Sequence, residues 1–322
     1  MGYEYYKSRL NAKESAVYEQ ILDAIRRRAR GAKCGSINAN RAFELYFAVC
    51  SDHPELFYAD SKVTCHSSIF GRDNQLVLSY LYSESEIRQY QLEMNTILSH
   101  MRRVITSRNE KEIERAVCNY MIEHVEYERD DVFHQNAIAA LADGVAQCSG
   151  IAKATKWLLD ELGIQCIYVT GNLAGEAHAW NIVRIEGQYY HLDVTSMIGC
   201  NCGGQKPYYY CDYNETDEEI GENHSWQRAD FPPCTRKYVH EALPNQTRLD
   251  PVQTFDQLEA QLMTAPIKAG GIIIVELLMP LSRQTIIDQL SQSLRKVLTR
   301  RGIGLSIQIS ITERQLTLVF QK

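Results

Sequence analysis

Hydrophobic positions Val17, Ile21, Ala24 and Ile25 recur at helical spacing and predict an amphipathic helix over residues 12–30. A second helix over 41–51 is expected to be capped by Asn38 or Asn40. Two short strands near 62–70 and 76–82 flank Gly71-Arg72-Asp73-Asn74, which has hairpin turn chemistry. A long helix follows over 85–107. Asn109 then caps another over 110–126, with Ile113, Ala116, Val117, Tyr120 and Met121 on one face.

Residues 127–146 read as loop and short helix. Ile151, Ala154, Leu158, Leu159 and Leu162 mark the buried face of a helix that opens at Cys148 and stops at Gly163, a residue suited to the left-handed position after a helix. Residues 165–170, 178–185 and 188–195 read as strands, and 196–244 as turn-rich and aromatic. From 249 onward the pattern changes. A helix capped by Thr254 runs to 263, a buried-type strand covers 271–278, a helix covers 281–300, and 303–311 with 315–320 alternate as a hairpin.

A chain of 322 residues is longer than one core usually fills. With 45% hydrophobic and 23% charged residues it has the composition of a globular protein. The net charge of −6 argues against nucleic acid or an anionic membrane as the main partner. The basic run Arg26-Arg27-Arg28-Ala29-Arg30 ends a predicted helix, where it complements the dipole. The first ten residues lack the apolar stretch of a leader, so a cytoplasmic location is expected, or a mature form whose leader has been trimmed. The longest apolar run, residues 270–280, is too short to span a bilayer. Ten cysteines are too sparse for a disulfide scaffold at this length.

Candidate chemistry lies between Gln147 and Asp193. Cys148 opens a helix, where unpaired N–H groups and the positive end of the dipole favour thiolate. His178 opens one predicted strand and Asp193 closes the next. A two-residue turn at Glu186-Gly187 fixes a pairing in which residue numbers sum to 373. His178 would then face Thr195, and Trp180 would face Asp193. His178 and Asp193 become diagonal neighbours on one face, about 7–8 Å apart at the backbone. A turn one residue longer would put them on opposite faces. Nucleophile, base and orienting carboxylate in this arrangement make an acyl-transfer site. The Cys148 N–H is the natural oxyanion donor, with Gln147 and Asn136 as candidate side-chain helpers.

At these residues the chain resembles the transglutaminase-like superfamily. The stretches that carry the resemblance are 144–154 with Cys148 at the helix start, His178-Ala179-Trp180-Asn181 after Val169-Thr170-Gly171, and Tyr189-Tyr190-His191-Leu192-Asp193-Val194-Thr195. Leu158-Leu159 and Leu162-Gly163-Ile164 add to it. It extends to bacterial members through Asp52-His53-Pro54-Glu55-Leu56-Phe57-Tyr58 and through Tyr210-Cys211-Asp212, Asp217, His224 and Pro232-Pro233-Cys234. The resemblance covers residues 1–238 and implies a papain-like site in Cys-His-Asp order that transfers acyl groups through a thioester. Peptide or isopeptide hydrolysis, deamidation and glutamine-to-amine crosslinking all fit, and peptide N-glycanases share the core. The chain departs from many relatives at Ser149-Gly150-Ile151-Ala152, after the cysteine, and at Ser196-Met197, after the acid. No loop resembles the calcium sites of the animal enzymes.

The expected fold is α+β: a transglutaminase-like (papain-like) core over 109–245 with the helix-borne cysteine packed on an antiparallel sheet. A helical and hairpin segment precedes it over 1–108, and a small α+β domain follows over 249–322. The expected activity is that of a cysteine peptidase or amidase on protein or peptide amides, with no cofactor and no metal. Transglutaminase action is the alternative, and a catalytically silent binding module is another. The carboxy-terminal domain is a candidate surface for a protein partner. Trp180 reads equally as core or as a cleft wall, and His191 as a structural histidine. Cys200, Cys202, Cys211, His224 and Cys234 invite a zinc reading, but their spacing is irregular. Tyr208-Tyr209-Tyr210 could line a groove or pack, and Asp217-Glu218-Glu219 reads as a solvated face.

Overall fold

The structure is a computed structural model that describes residues 2–67, 73–128, 135–201, 208, 210–238, 246–268, 271–279, 283–311 and 315–321. The chain divides into two compact units, residues 1–204 with 210–238 and residues 205–209 with 239–322.

The first unit opens with α1 (Tyr5–Ser8), α2 (Ala12–Arg26), β1 (Gly31–Gly35) and α3 (Ala39–Asp52). Asn11 starts α2 through a capping box with Glu14, and Asn38 caps α3 through the Arg41 N–H. Helix α2 is shorter than expected. It ends at Arg26, and Arg28 takes a positive φ of 53°. The chain then enters β1, a strand the sequence pattern does not announce. Next come β2 (Thr64–His66) and β3 (Asn74–Val77), which are antiparallel as expected and give a sheet of order β1-β3-β2. Of the turn proposed to join β2 to β3, Gly71 and Arg72 lie outside the described residues, and Asn74 already belongs to β3. Helices α4 (Glu84–Val104) and α5 (Glu110–His124) are capped by Ser83 and Asn109.

The strands β4 (Glu126–Tyr127) and β5 (Val145–Ala146) pair in parallel and lead into α6 (Cys148–Glu161). Gly163 follows α6 with φ of 90°, the left-handed conformation expected there. The main sheet comprises β6 (Cys166–Leu173), β7 (Glu176–Ile185) and β8 (Gln188–Leu192). After α7 (Val194–Cys200) come β9 (Tyr213–Glu215), α8 (Asp217–Ile220) and β10 (His224–Ser225). The strand order is β10-β6-β7-β8-β9, antiparallel throughout.

Two expectations for the hairpin are corrected. Strand β7 begins at Glu176, so His178 lies inside it, opposite Gly171 of β6. Strand β8 ends at Leu192, so Asp193 and Thr195 lie beyond the ladder and Asp193 is the N-cap of α7. An oxygen acceptor ahead of Val194-Thr195-Ser196 starts a helix more readily than it continues a strand. The expected register itself holds, with Asn181 opposite Leu192 and Ile185 opposite Gln188. Glu186 and Gly187 have φ of 50° and 79°, the two left-handed residues of a tight hairpin turn.

The sheet buries both faces. Ile167, Val169, Trp180 and Ile182 pack with Tyr5 of α1 and with Cys234. Tyr168 and Ala179 point the other way, against Ala152 and Cys148 of α6. Asn181, fully buried, ties sheet to helix by donating to the Ala152 carbonyl at 3.0 Å. No helix of the described residues is long and apolar enough to cross a membrane.

The second unit runs β11 (Gln246–Arg248), α9 (Phe255–Thr264), β12 (Ile272–Glu276), α10 (Arg283–Arg301), β13 (Ser306–Ile311) and β14 (Gln315–Gln321). Its sheet order is β11-β12-β14-β13, and Leu258, Leu262, Leu290 and Leu294 of the helices share a core with Val275, Leu316 and Leu318. The expected α-β-α-β-β order is present, preceded by β11, which pairs in parallel with β12.

Candidate active site

Cys148 is the first residue of α6, and the residue before it, Gln147, is extended at φ −81° and ψ 169°. The thiol is half-buried at the helix N-terminus, packed beside Ala152, Tyr168 and Ala179. Burial alone would raise its pKa. Hydrogen bonding and charge interaction with His178, with help from the Ala179 and Ser149 backbones, outweigh burial and lower it.

His178 links the thiol to Asp193. Its Nε2–H donates to Asp193 Oδ2 at 2.8 Å, which leaves Nδ1 for the sulfur. Burial opposes the imidazolium, but hydrogen bonds to Asp193 and Cys148 prevail and the pKa is pushed up to about 10. The ring stacks on Trp180, with centroids 6.0 Å apart.

Asp193 is fully buried. Its Oδ1 accepts the Thr195 and Ser196 N–H groups at 2.9 and 3.2 Å, and its Oδ2 accepts Ser196 Oγ–H at 2.8 Å. Its own N–H donates to the Asp212 carbonyl at 2.9 Å. Burial works against the carboxylate, yet the hydrogen bonds from His178 and His224 hold its pKa well below the usual range. The structure thus places His178 between Asp193, to which it is hydrogen-bonded, and Cys148, whose thiol pKa it lowers. The raised imidazole and lowered thiol pKa values favour a thiolate–imidazolium pair steadied by a carboxylate.

The other named candidates differ in what they do. Gln147 precedes the thiol, and its side chain does not cap the helix. Asn136 is buried, and its Oδ1 accepts the Ile138 and Ala139 N–H groups ahead of a π-helical turn, Ala139–Asp143. Its Nδ2 donates to the Tyr82 hydroxyl at 3.0 Å. Trp180 is fully buried. It belongs to the core and also backs the His178 ring.

Trp180 Nε1–H donates to His191 Nδ1 at 3.0 Å, so the imidazole proton sits on Nε2, which donates to Asp217 Oδ1 at 2.9 Å. His191 is therefore structural, and both of its nitrogens are committed. Asp217 corrects an expectation in turn. Besides holding His191, it accepts the Cys234 N–H at 3.1 Å, so it is a structural link and not merely part of a solvated face.

The residues of the zinc reading are dispersed. Cys211 Sγ lies 2.6 Å from Cys200 Sγ, His224 contacts Asp193, and Cys234 lies beside Asp217; Cys202 falls outside the described residues, as does Tyr209.

Three residues were given no part in this site by the sequence reasoning. Ser196 binds the acid, and the Ser-Met departure after Thr195 was the visible trace of a helix start. Lys153 lies in the first turns of α6, where it donates to the Gln135 carbonyl at 3.1 Å. Burial lowers its pKa against the opposing pull of Cys50 and Cys148. His224 reaches Asp193 from β10 across 31 positions of sequence. No periodicity connects so distant a pair.

Residues 100–194 match the model of the Transglutaminase-like superfamily, whose members are generally cysteine enzymes. Among solved structures it is similar to a cysteine-protease candidate from Cytophaga hutchinsonii (14% identity, 42% of this chain and 61% of that one, TM-score 0.29). It is also similar to a TGase (11% identity, 76% and 62%, TM-score 0.33). A protease candidate from Parabacteroides distasonis matches as well (8% identity, 80% and 56%, TM-score 0.27). The chain spans less than two thirds of the length of each of these three. No curated protein matches it.

Proposed function

We propose that this protein is a cysteine-dependent acyl-transfer enzyme that hydrolyses amide bonds of proteins or peptides through a thioester. The observation that carries the proposal is His178 at the Cys148 thiol, whose pKa it lowers, with its own ring held by Asp193 at 2.8 Å. In the proposed reaction the Cys148 thiolate attacks the amide carbonyl carbon. The resulting oxyanion meets the Cys148 N–H at the helix N-terminus, with Gln147 and Asn136 as further candidates. The His178 imidazolium gives its proton to the leaving nitrogen, the C–N bond breaks, and an amine departs. A water molecule then yields a proton to neutral His178 and attacks the thioester. The acid is released and the thiolate–imidazolium pair returns. Asp193 keeps the imidazole in the tautomer that faces the sulfur with Nδ1.

Hydrolysis is preferred to glutamine–amine crosslinking because water is always at hand and no amine-binding feature is legible. The deciding experiment incubates the protein with a glutamine-containing peptide and a labelled primary amine. Ammonia or peptide cleavage without label in the product is expected. Incorporation of the amine would instead assign the protein as a transglutaminase.

A further inference from the structure

The carboxylate that steadies His178 receives a second imidazole. His224 Nε2–H donates to Asp193 Oδ2 at 3.3 Å, the same oxygen that accepts His178 and Ser196 Oγ at 2.8 Å each. Neither the Asp193 nor the His224 side chain has exposed surface. The ring of His224 is held from several sides. Its Nδ1 lies 2.5 Å from Asn223 Oδ1, and its plane meets Trp180 edge-on with centroids 5.0 Å apart.

The backbone is shaped to permit this. His224 and Ser225 form β10, which pairs with Leu173 and Asn172 at the edge of β6. Next to this pairing, Gly171 has no room for a side chain. A Cβ there would sit 2.2 Å from the Ser225 carbonyl oxygen and 2.8 Å from the Trp180 ring.

Satisfying a buried charge does not explain His224. A carboxylate has about four lone-pair sites. Thr195 N–H, Ser196 N–H, Ser196 Oγ–H and His178 already supply four donors to Asp193. His224 is a fifth donor, and it competes with His178 for one oxygen. The charged and titratable groups around it are Asp193 itself, Asp212 from the segment before β9, His178 of β7 with ring centroids 5.5 Å away, and His191 of β8.

We infer that His224 is a positioning residue that shares Asp193 Oδ2 with His178 and so loosens the carboxylate's hold on the His178 imidazolium. A buried carboxylate with no competing donor would grip the imidazolium harder and keep the proton that the leaving nitrogen needs. With His224 in place the proton is released more readily. This inference rests on the acyl-transfer function proposed above.

The test uses the full chain and two polar variants of similar bulk. In His224→Gln the side-chain amide nitrogen stands where Nε2 stood and can still donate to Asp193. In His224→Asn it stands where Nδ1 stood and cannot reach. Alkylation of Cys148 by iodoacetamide, read at the Cys148 peptide by mass spectrometry, is followed from about pH 4 to about pH 11.5. The lower step marks loss of the thiol proton to solvent beside the imidazolium, and the upper step marks loss of the proton from the imidazolium itself. His224→Asn is expected to move the upper step upward by about half a pH unit or more, and His224→Gln to keep it near the wild-type position.

An upper step unmoved in His224→Asn, with the rate merely lowered at every pH, would overturn the inference, and so would a downward move. If wild-type Cys148 reacts no faster than an ordinary thiol, the proposed function fails first. If wild type is fast and the Asn variant keeps its upper step, the inference about His224 fails alone.

Discussion

Asp193 divides its two oxygens between His178 and a helix. Oδ2 receives the imidazole N–H at 2.8 Å, while Oδ1 accepts the Thr195 and Ser196 N–H groups that open α7. The same side chain orients a base and starts a helix, and substitution can separate the two tasks. Asp193→Asn retains a carbonyl oxygen for the cap. Its amide N–H₂ toward His178 forces the other tautomer, so Nδ1 carries a proton and cannot accept one from sulfur. Cys148 alkylation at neutral pH should fall by roughly a hundredfold or more, with little change in melting temperature. Asp193→Ala should lose reactivity equally and cost more stability than Asp193→Asn: about 1 kcal/mol for the missing cap, and more for the buried donors of His178, Ser196 and His224 left unpaired. Rate and thermal melting, measured on both variants, check this.

Gly171 lets β10 and Trp180 close on β6. Gly171→Ala should cost about 1–3 kcal/mol in chemical denaturation, because a Cβ 2.2 Å from the Ser225 carbonyl oxygen must displace backbone. It should also slow Cys148 alkylation, since Trp180 backs His178. An unchanged denaturation midpoint would contradict the close approach.

Glu114 of α5 is fully buried, and its Oε2 accepts from the Tyr213 hydroxyl at 2.8 Å and the Asn214 amide at 2.7 Å. Burial outweighs these hydrogen bonds and raises its pKa from 4.5 to about 7. The folded state therefore holds the proton more tightly than the unfolded chain does. The stability from this group is complete below about pH 4.5 and is lost as pH rises through about 7. Glu114→Gln should flatten that slope. It should gain up to about 3 kcal/mol relative to wild type at pH 8 and show no gain at pH 4.5, measured by denaturant titration at both values.

His178 carries a linkage of the same sign from a different cause. Burial disfavours its charge, but its hydrogen bonds to Asp193 and Cys148 lift it to about 10. The stability from the imidazolium is complete below about pH 6.5 and fades as pH rises through about 10. The stability lost in His178→Ala should accordingly be larger at pH 6.5 than at pH 10.5. Equal losses at both values would show that the imidazole contributes packing only.

Much of this site was legible because its parts are local. Gly144 and Gly150 around a cysteine, followed by apolar residues at helical spacing, place Cys148 at a helix start. The Glu186-Gly187 turn fixes the hairpin register without further information, since few residues adopt two consecutive left-handed conformations. The neighbourhood of Asp193 was harder. Val194-Thr195 has strand propensity, and only the cap formed by Asp193 itself turns the chain into α7. Strand β1 hid because Gly31-Ala32-Lys33-Cys34-Gly35 has neither length nor strong alternation; its pairing with β3 makes it a strand. Strand β10 is two residues long and depends on the absence of a side chain at Gly171, far away in sequence. Whatever rests on contacts between distant segments, including His224 on Asp193, needed the folded structure.

The central claim is that Cys148 is held as a reactive thiolate by His178. The most direct measurement is the rate of iodoacetamide modification at the Cys148 peptide near pH 6, in wild type and in His178→Ala, against the other cysteines of the same chain. Cys148 should be modified far faster than the rest, and His178→Ala should bring it down to their rate. Modification at the ordinary rate in wild type, or an unchanged fast rate in the variant, would contradict it.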